Sequence, residues 1–128
     1  MLKKKIKYNK KEVDTAGIPL KNKDSSEEEI NKATEIINNW RAIHNYPLHI
    51  FQMRLKNISK KYDKDSLIAQ RLKRTTSIIN KLTRKYEDRN PSMQLSQMQD
   101  IAGCRAIVKN VIIAKKIYNE YYLKGNLK

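Results

Sequence analysis

Apolar residues follow the helical period along the stretch KDSSEEEINKATEIINNWRAIHN. Ser25 with Glu28 and Ser26 with Glu29 both fit a capping box, and three acidic residues in the first turn favour the positive end of a helix dipole. The helix is therefore expected to begin near Ser26 and to bury its apolar face. The residues of that face are Ile30, Ala33, Ile37, Trp40 and His44.

A second amphipathic stretch runs from about Pro47 to Tyr62, because Pro47 marks a break in the chain and suits the first turn of a helix. Its apolar face consists of Leu48, Phe51, Leu55 and Ile58. Both helices need a partner for these faces. The side chains predicted to be buried together are Ile37, Trp40, Phe51 and Leu55.

Residues 65–91 allow two interpretations. As one helix, they place an apolar stripe on one face and cations on another. As a strand followed by a helix, Leu67–Lys73 is extended. Thr75 or Thr76 then caps a helix that ends near Tyr86. The second interpretation is favoured, because two adjacent threonines suit a helix start better than a helix interior.

Further elements follow the turn signal DRNPS. A short helix is expected over Met93–Gln99, and the apolar run Gly103–Val108 predicts a buried strand. Asn110 is placed to cap a last helix, which Gly125 is expected to end. These elements predict an α+β fold that is predominantly helical.

The charge of the chain suggests a polyanionic partner, which the apolar pattern alone does not indicate. The 128 residues include 28 Lys and Arg against 13 Asp and Glu, a net charge of +15. Residues 1–23 carry a net +6, residues 24–53 carry −3, residues 54–89 carry +8 and residues 90–128 carry +4. Such a cationic middle suits nucleotide triphosphates or nucleic acid. For the N-terminal lysines, a solvated basic surface is the plainer interpretation.

Several classes of protein and site do not fit the sequence. No apolar run approaches the roughly 20 residues of a membrane helix, and the chain opens on Lys3, Lys4 and Lys5 with no apolar stretch behind them. We therefore expect a cytoplasmic protein without a membrane partner. Cys104 is the single cysteine, so it suits a core position and forms no internal disulfide. His44 and His49 lie among apolar residues and are expected to pack rather than to act as bases.

A triphosphate needs fixed cations for its oxygens and a carboxylate for a metal ion that bridges the phosphates. The candidate cations are Arg71, Lys73, Lys81 and Arg84. Asp100 is the candidate carboxylate, since it lies directly before a strand, where open sheets commonly present ligand groups. The helix N-terminus near Ser77 is expected to add backbone N–H donors. The alternatives are that Asp100 is a turn residue and that Ser77 is only a helix-start residue.

Two motifs resemble a known family. The stretch RLKRTTSIINKLTRK, followed by MQDIAGCRAIV, resembles the nucleotide-binding half of the RelA/SpoT-type alarmone synthetase domain. The upstream stretches YNKKEVDTAG and WRAIHNYPLHIF are similar to the N-terminal helices of its small, single-domain and toxin-like members. The resemblance implies a helical region packed on the first part of a nucleotidyltransferase-like mixed sheet. It also implies an enzyme that moves the β,γ-diphosphate of ATP to the 3′ hydroxyl of a guanine nucleotide or, in some relatives, to an adenine nucleotide or tRNA.

The resemblance also implies roles for single residues and a division of the chain. The residues implied to contact the ATP phosphates are Arg71, Lys73, Ser77, Lys81 and Arg84. Asp100 is implied to bind Mg²⁺ and Arg105 to contact the donor nucleotide. Residues 1–24 then form a basic N-terminal segment, 25–62 a helical region and 63–128 the first half of the nucleotidyltransferase-like domain.

One departure from the family pattern concerns the acceptor. The family continues with further strands, a tyrosine and a histidine that hold the acceptor, and a glutamate in a Glu-x-Gln strand, whereas this sequence stops at Lys128. We therefore expect no diphosphate transfer by the chain alone, and either self-association through the strand near Ile107 or a missing C-terminal half. The alternatives are a small basic RNA-binding or tRNA-binding module without catalysis, and a structural remnant without a ligand.

Overall fold

Helices make up most of the protein. The structure is a computed structural model that describes residues 3–84 and 93–123. Its α-helices are α1 (Lys10–Thr15), α2 (Ile18–Lys21), α3 (Glu27–Ile43), α4 (Asn45–Tyr62), α5 (Thr75–Thr83) and α6 (Val111–Tyr118). Its strands are β1 (Leu67–Leu72) and β2 (Ala102–Ile107), with a 3₁₀ turn at Leu95–Gln97 and a π-helical turn at Asn119–Leu123. The predicted class, α+β and predominantly helical, is confirmed.

The described residues divide into two compact units. The first unit comprises the described residues up to Tyr46 together with those of Leu72–Ala102. The second unit comprises Pro47–Arg71 and the described residues from Gly103 onward. None of the described helices combines the length and the apolar character needed to cross a bilayer.

The first unit has a continuous hydrophobic core built by α1, α3, α5 and the 3₁₀ turn. Its buried members are Val13, Ala16, Ile36, Ile37, Ile78, Leu82, Leu95, Met98 and Ile101. The predicted start of α3 is confirmed, because Ser26 is the N-cap and forms a capping box with Glu29. The predicted apolar face was wrong at one position: Ile30 is 40% exposed, and Ile36 lies in the core instead. The buried face of α3 therefore includes Ile36 and excludes Ile30, so it differs slightly from the face that the apolar spacing predicts.

The strand-then-helix interpretation of residues 65–91 is confirmed by β1 and α5. The predicted threonine cap was wrong, since Arg74 is the N-cap and makes no side-chain capping bond. The Thr75 hydroxyl instead donates to Asn38 Oδ1 of α3 at 2.6 Å. The predicted end near Tyr86 lies outside the described residues.

The second unit contains most of α4, most of the sheet and α6. Leu48 is buried, but Phe51, which the sequence predicted to be buried, is 39% exposed. Buried Asp63 orders the chain after α4, because its carboxylate accepts hydrogen bonds from the backbone N–H groups of Asp65 and Lys109, both at 3.0 Å. Asn110 caps α6 as predicted, accepting from the Ile113 N–H at 2.9 Å.

The two strands form an antiparallel pair. A strand was correctly predicted at residues 103–108, and β2 occupies Ala102–Ile107. Its predicted burial was wrong, because its residues alternate between half-buried and exposed and Ile107 is 52% exposed. Between Met93 and Gln99, the predicted short helix is reduced to the single 3₁₀ turn. The predicted stop at Gly125 lies outside the described residues.

Candidate anion-binding site

Two lysine ammonium groups converge on one carboxylate in the first unit. Lys73 Nζ lies 2.9 Å from Asp100 Oδ2, and Lys81 Nζ lies 3.0 Å from Asp100 Oδ1. The Asp100 side chain is 52% exposed, whereas those of Lys73 and Lys81 are 12% and 27% exposed. We call these three side chains the Lys–Asp–Lys bridge. In this bridge the carboxylate is exposed to solvent, and the two lysine side chains beside it are largely buried.

Backbone hydrogen bonds hold Lys73 in place from two sides. Its N–H donates to the Ile101 carbonyl at 2.6 Å, just after the end of β1 and just before the start of β2. Its carbonyl accepts from Arg41 Nε of α3 at 2.7 Å. Because Ile101 follows Asp100, the bond that ends the sheet also brings the carboxylate to the Lys73 ammonium.

Helix α5 supplies the second lysine. Buried Ile78 and Leu82 fix this helix against the core of the first unit, and Lys81 lies in its last turn. Ser77 lies four residues before Lys81 and is half-buried, so the two share one side of α5. The N-terminal turn has no side-chain cap, which leaves its first N–H groups without a side-chain acceptor at the positive end of the helix dipole.

The charge state of the bridge follows from its hydrogen bonds. The bonds from Lys73 and Lys81 lower the pKa of Asp100 from 3.8 to about 2, although partial burial acts in the opposite direction. Asp100 is therefore an anion at neutral pH, and the bridge carries one net positive charge. An incoming anion meets two ammonium groups that already share a single counter-charge.

The remaining predicted residues lie elsewhere. Arg84 is exposed and directly follows α5. Arg71 and Arg105 are exposed residues of the second unit, in the neighbouring strands β1 and β2. Both line a cavity of about 290 Å³, whose other lining residues are Ala69, Gln70, Gly103 and Cys104. The structure thus brings Lys73, Lys81 and Asp100 together in one unit, and Arg71 and Arg105 together in the other.

The donor atoms at Asp100 limit how magnesium fits. In the described ranges, 3–84 and 93–123, no three His, Cys, Asp or Glu side chains are close enough to share a metal ion. Both oxygens of Asp100 already accept ammonium hydrogen bonds. Mg²⁺ binds proteins through one or two carboxylates together with substrate phosphates and retained waters. Asp100 therefore fits Mg²⁺ that is already bound to phosphate.

Sequence reasoning missed two parts of this region. It assigned Asp100 and the lysines to different ligands and did not predict their bonds to each other. It also missed Arg41, which lies in an acidic segment of the chain. The role of Arg41 depends on its hydrogen bond to the carbonyl of Lys73, 32 residues away. A helical spacing argument carries no signal for such a contact.

A second surface feature lies in the second unit and was also not predicted. A groove of about 310 Å³ is lined by Leu55 and Ile117, by β2 residues and by Tyr118, Tyr121 and Tyr122. Tyr121 is held there by a hydrogen bond from its hydroxyl to the Phe51 carbonyl at 3.2 Å. The groove walls are therefore mainly apolar and aromatic.

Comparisons with known proteins do not assign the chain to a family. No family model matches the chain, and a search of curated proteins finds no significant relative.

Proposed function

We propose that the first unit binds the phosphate groups of ATP, as the donor-binding part of an enzyme of the RelA/SpoT pyrophosphokinase type. The observation that carries this proposal is the convergence of Lys73 and Lys81 on one exposed carboxylate. Two cations fixed near each other suit a chain of phosphates better than a single anionic group. The net charge of +15 adds a long-range attraction for such ligands.

Preorganisation supports the proposal. The Lys73 backbone is held by Ile101 and Arg41, and α5 is anchored in the core, so little ordering of the chain is required on binding. Phosphate oxygens that replace the Asp100 carboxylate would keep both ammonium groups in charge-assisted hydrogen bonds. The uncapped first turn of α5 offers further N–H donors beside Ser77.

The resemblance supplies the rest of the proposal. It assigns a nucleotidyltransferase-like fold, and it adds Arg71, Ser77, Arg84 and Arg105 to the residues that contact the donor nucleotide. The reaction it implies is transfer of the β,γ-diphosphate of ATP to a hydroxyl of a guanine nucleotide or tRNA. Mg²⁺ bound to the phosphates would supply charge neutralisation, with Asp100 as its protein ligand.

Isothermal titration with Mg·ATP tests the proposal. Lys73→Ala and Lys81→Ala should each weaken binding several-fold, since a charged hydrogen bond contributes roughly 1.5 to 3 kcal/mol when sheltered from water. Lys23→Ala is the matched control, because Lys23 is an exposed lysine of the same unit. Equal affinities for all four proteins, or no binding by any of them, would contradict the proposal.

A second candidate function, binding of single-stranded RNA, is favoured by one observation in the second unit. Tyr118 and Tyr122 are 54% and 70% exposed and stack on each other, with ring centroids 5.3 Å apart. Lys115 and Lys116 are exposed on α6, the helix that ends at Tyr118. Exposed aromatics beside cations are typical of surfaces on which bases stack.

Fluorescence anisotropy with an oligouridine probe distinguishes this candidate. RNA binding predicts an affinity that falls with salt, with a slope of roughly −0.7 per phosphate contact. Tyr122→Ala should weaken it, whereas Ile112→Ala, a change at a 67% exposed apolar residue of α6, should not. A flat response to salt would rule out this role.

A further inference from the structure

The Lys–Asp–Lys bridge already occupies the cations to which we assign the phosphates. Each Asp100 oxygen accepts from a different ammonium group, at 2.9 and 3.0 Å. A phosphate that contacts either lysine must therefore displace an ionised carboxylate oxygen from it. Asp100 is an internal competitor for any anion that enters the site.

The fate of the displaced carboxylate depends on the ligand. If the ligand brings only anionic oxygens, Asp100 loses its two cationic partners and faces a like charge at short range. If the ligand carries a divalent cation on its phosphates, the displaced carboxylate gains a cationic partner of its own. The second exchange keeps each charge compensated, whereas the first leaves one carboxylate without a partner beside the phosphates.

We propose that Asp100 is a specificity-determining residue that makes this site prefer a polyphosphate carrying a divalent cation over the same polyphosphate without one. This inference rests on the proposed function, since it takes the two lysines as the phosphate contacts. It assigns Asp100 a role before any metal is bound, as the group that lowers affinity for metal-free ligands. The exposure of Asp100, 52%, leaves its carboxylate accessible to such a ligand from solvent.

Isothermal titration with sodium tripolyphosphate tests the inference. Each protein is titrated once in EDTA and once with excess Mg²⁺. For the wild type, we expect Mg²⁺ to tighten binding at least threefold. Asp100→Asn should bind the metal-free probe at least threefold more tightly than the wild type, and Mg²⁺ should no longer tighten it. Asp24→Asn, which removes the same charge from an exposed position of the first unit, should behave as the wild type.

A purely structural role for Asp100 predicts the opposite sign. If the carboxylate only positions the lysines, Asp100→Asn and Asp100→Ala should both weaken metal-free binding, and that result would overturn the inference. Circular dichroism of both variants checks that they fold, and a variant that binds more tightly is by itself evidence of a formed site.

The outcomes separate this inference from the proposed function. Binding by the wild type that is weakened by Lys73→Ala but unchanged by Asp100→Asn overturns the inference alone. Absence of binding by the wild type in both buffers, or binding that is insensitive to Lys73→Ala, overturns the proposed function and the inference with it.

Discussion

The two units place their apolar side chains in opposite ways. Of the twelve buried hydrophobic residues in the described part of the chain, ten lie in the first unit, and the second contributes only Leu48 and Ile117. Of the twelve large hydrophobic residues that are exposed there, nine lie in the second unit. Those in the first unit are Ile6, Ile18 and Ile30. The first unit buries most of its large apolar side chains in a core, whereas the second unit exposes most of its own to solvent.

This difference indicates where the stability of each unit comes from. Burial of apolar surface is the dominant favourable term in folding, and it is concentrated in the first unit. The second unit relies more on polar contacts with the backbone. Asp63 binds two N–H groups, and Lys60 Nζ donates to the Ser66 carbonyl at 2.5 Å. We therefore expect the second unit to open at a lower free energy than the first.

The largest expected effect comes from one substitution made in both units. Leu82→Ala removes a fully buried side chain from the core of the first unit and should lower the free energy of unfolding by roughly 2 to 5 kcal/mol. Leu67→Ala makes the same change at a side chain that is 65% exposed in the second unit, and should cost within about 0.5 kcal/mol. Urea denaturation measures both, and equal costs would break the comparison.

A smaller effect is expected at the polar anchor of the second unit. Asp63→Ala leaves the N–H groups of Asp65 and Lys109 without their acceptor and should cost about 2 kcal/mol. Asp65→Ala is the control, since Asp65 is an exposed acid two residues away. Hydrogen exchange should report the loss at α6 and β2. An Asp63→Ala protein as stable as the control would show that polar contacts do not maintain this unit.

Removing a helix cap should lower the free energy of unfolding by about the same amount in either unit. Ser26→Ala removes the capping box of α3, and Asn110→Ala removes the cap of α6, so each should cost about 1 kcal/mol. The sites of the response should differ. Hydrogen exchange in Asn110→Ala should increase in the second unit while the amides of α3 and α5 keep their protection. Loss of protection in both units to the same extent would mean that they unfold as one.

The smallest effect concerns acid. Because the folded-state pKa of Asp100 lies below its ordinary value of 3.8, at about 2, its contribution to stability is present above pH 4 and is lost as the pH falls from about 4 to 2. Solvent screening of this exposed carboxylate keeps the contribution below about 1 kcal/mol. An NMR titration should give a carboxyl pKa well below 3.8 that rises in Lys73→Met. A pKa unchanged by that substitution would remove the bridge as its cause.

Local signals in the sequence predicted much of the fold. The capping box at Ser26 and the Asn110 cap act within a few residues, and each correctly placed the start of a helix. The threonine pair also marked the start of α5, although Arg74 and not a threonine is its N-cap. A similar signal at Asn9 and Glu12 marks α1, which lies in the stretch YNKKEVDTAG that resembles an N-terminal helix of the family. Elements whose ends are set by neighbouring residues are therefore the ones that the sequence specifies.

Features that depend on distant partners could not be predicted in this way. Ile30 and Ile36 are both apolar residues of α3, and the neighbours of the helix decide which of them is buried. The apolar run of β2 indicates a buried strand. Burial, however, requires other elements to cover both faces of the sheet, and the sequence of the strand does not specify those elements. The Lys–Asp–Lys bridge likewise depends on the pairing of β1 with β2. Self-association near Ile107 stays a prediction.

The bond between Lys73 N–H and the Ile101 carbonyl makes the candidate site a product of folding. Lys73 and Asp100 are 27 residues apart, so an unfolded chain does not present the lysines and the carboxylate together. A ligand that binds the assembled site draws the population of molecules toward the folded first unit. At 100 times its dissociation constant it would add about 2.7 kcal/mol to the free energy of unfolding. For such a ligand, the thermal midpoint of the protein would rise with the ligand concentration.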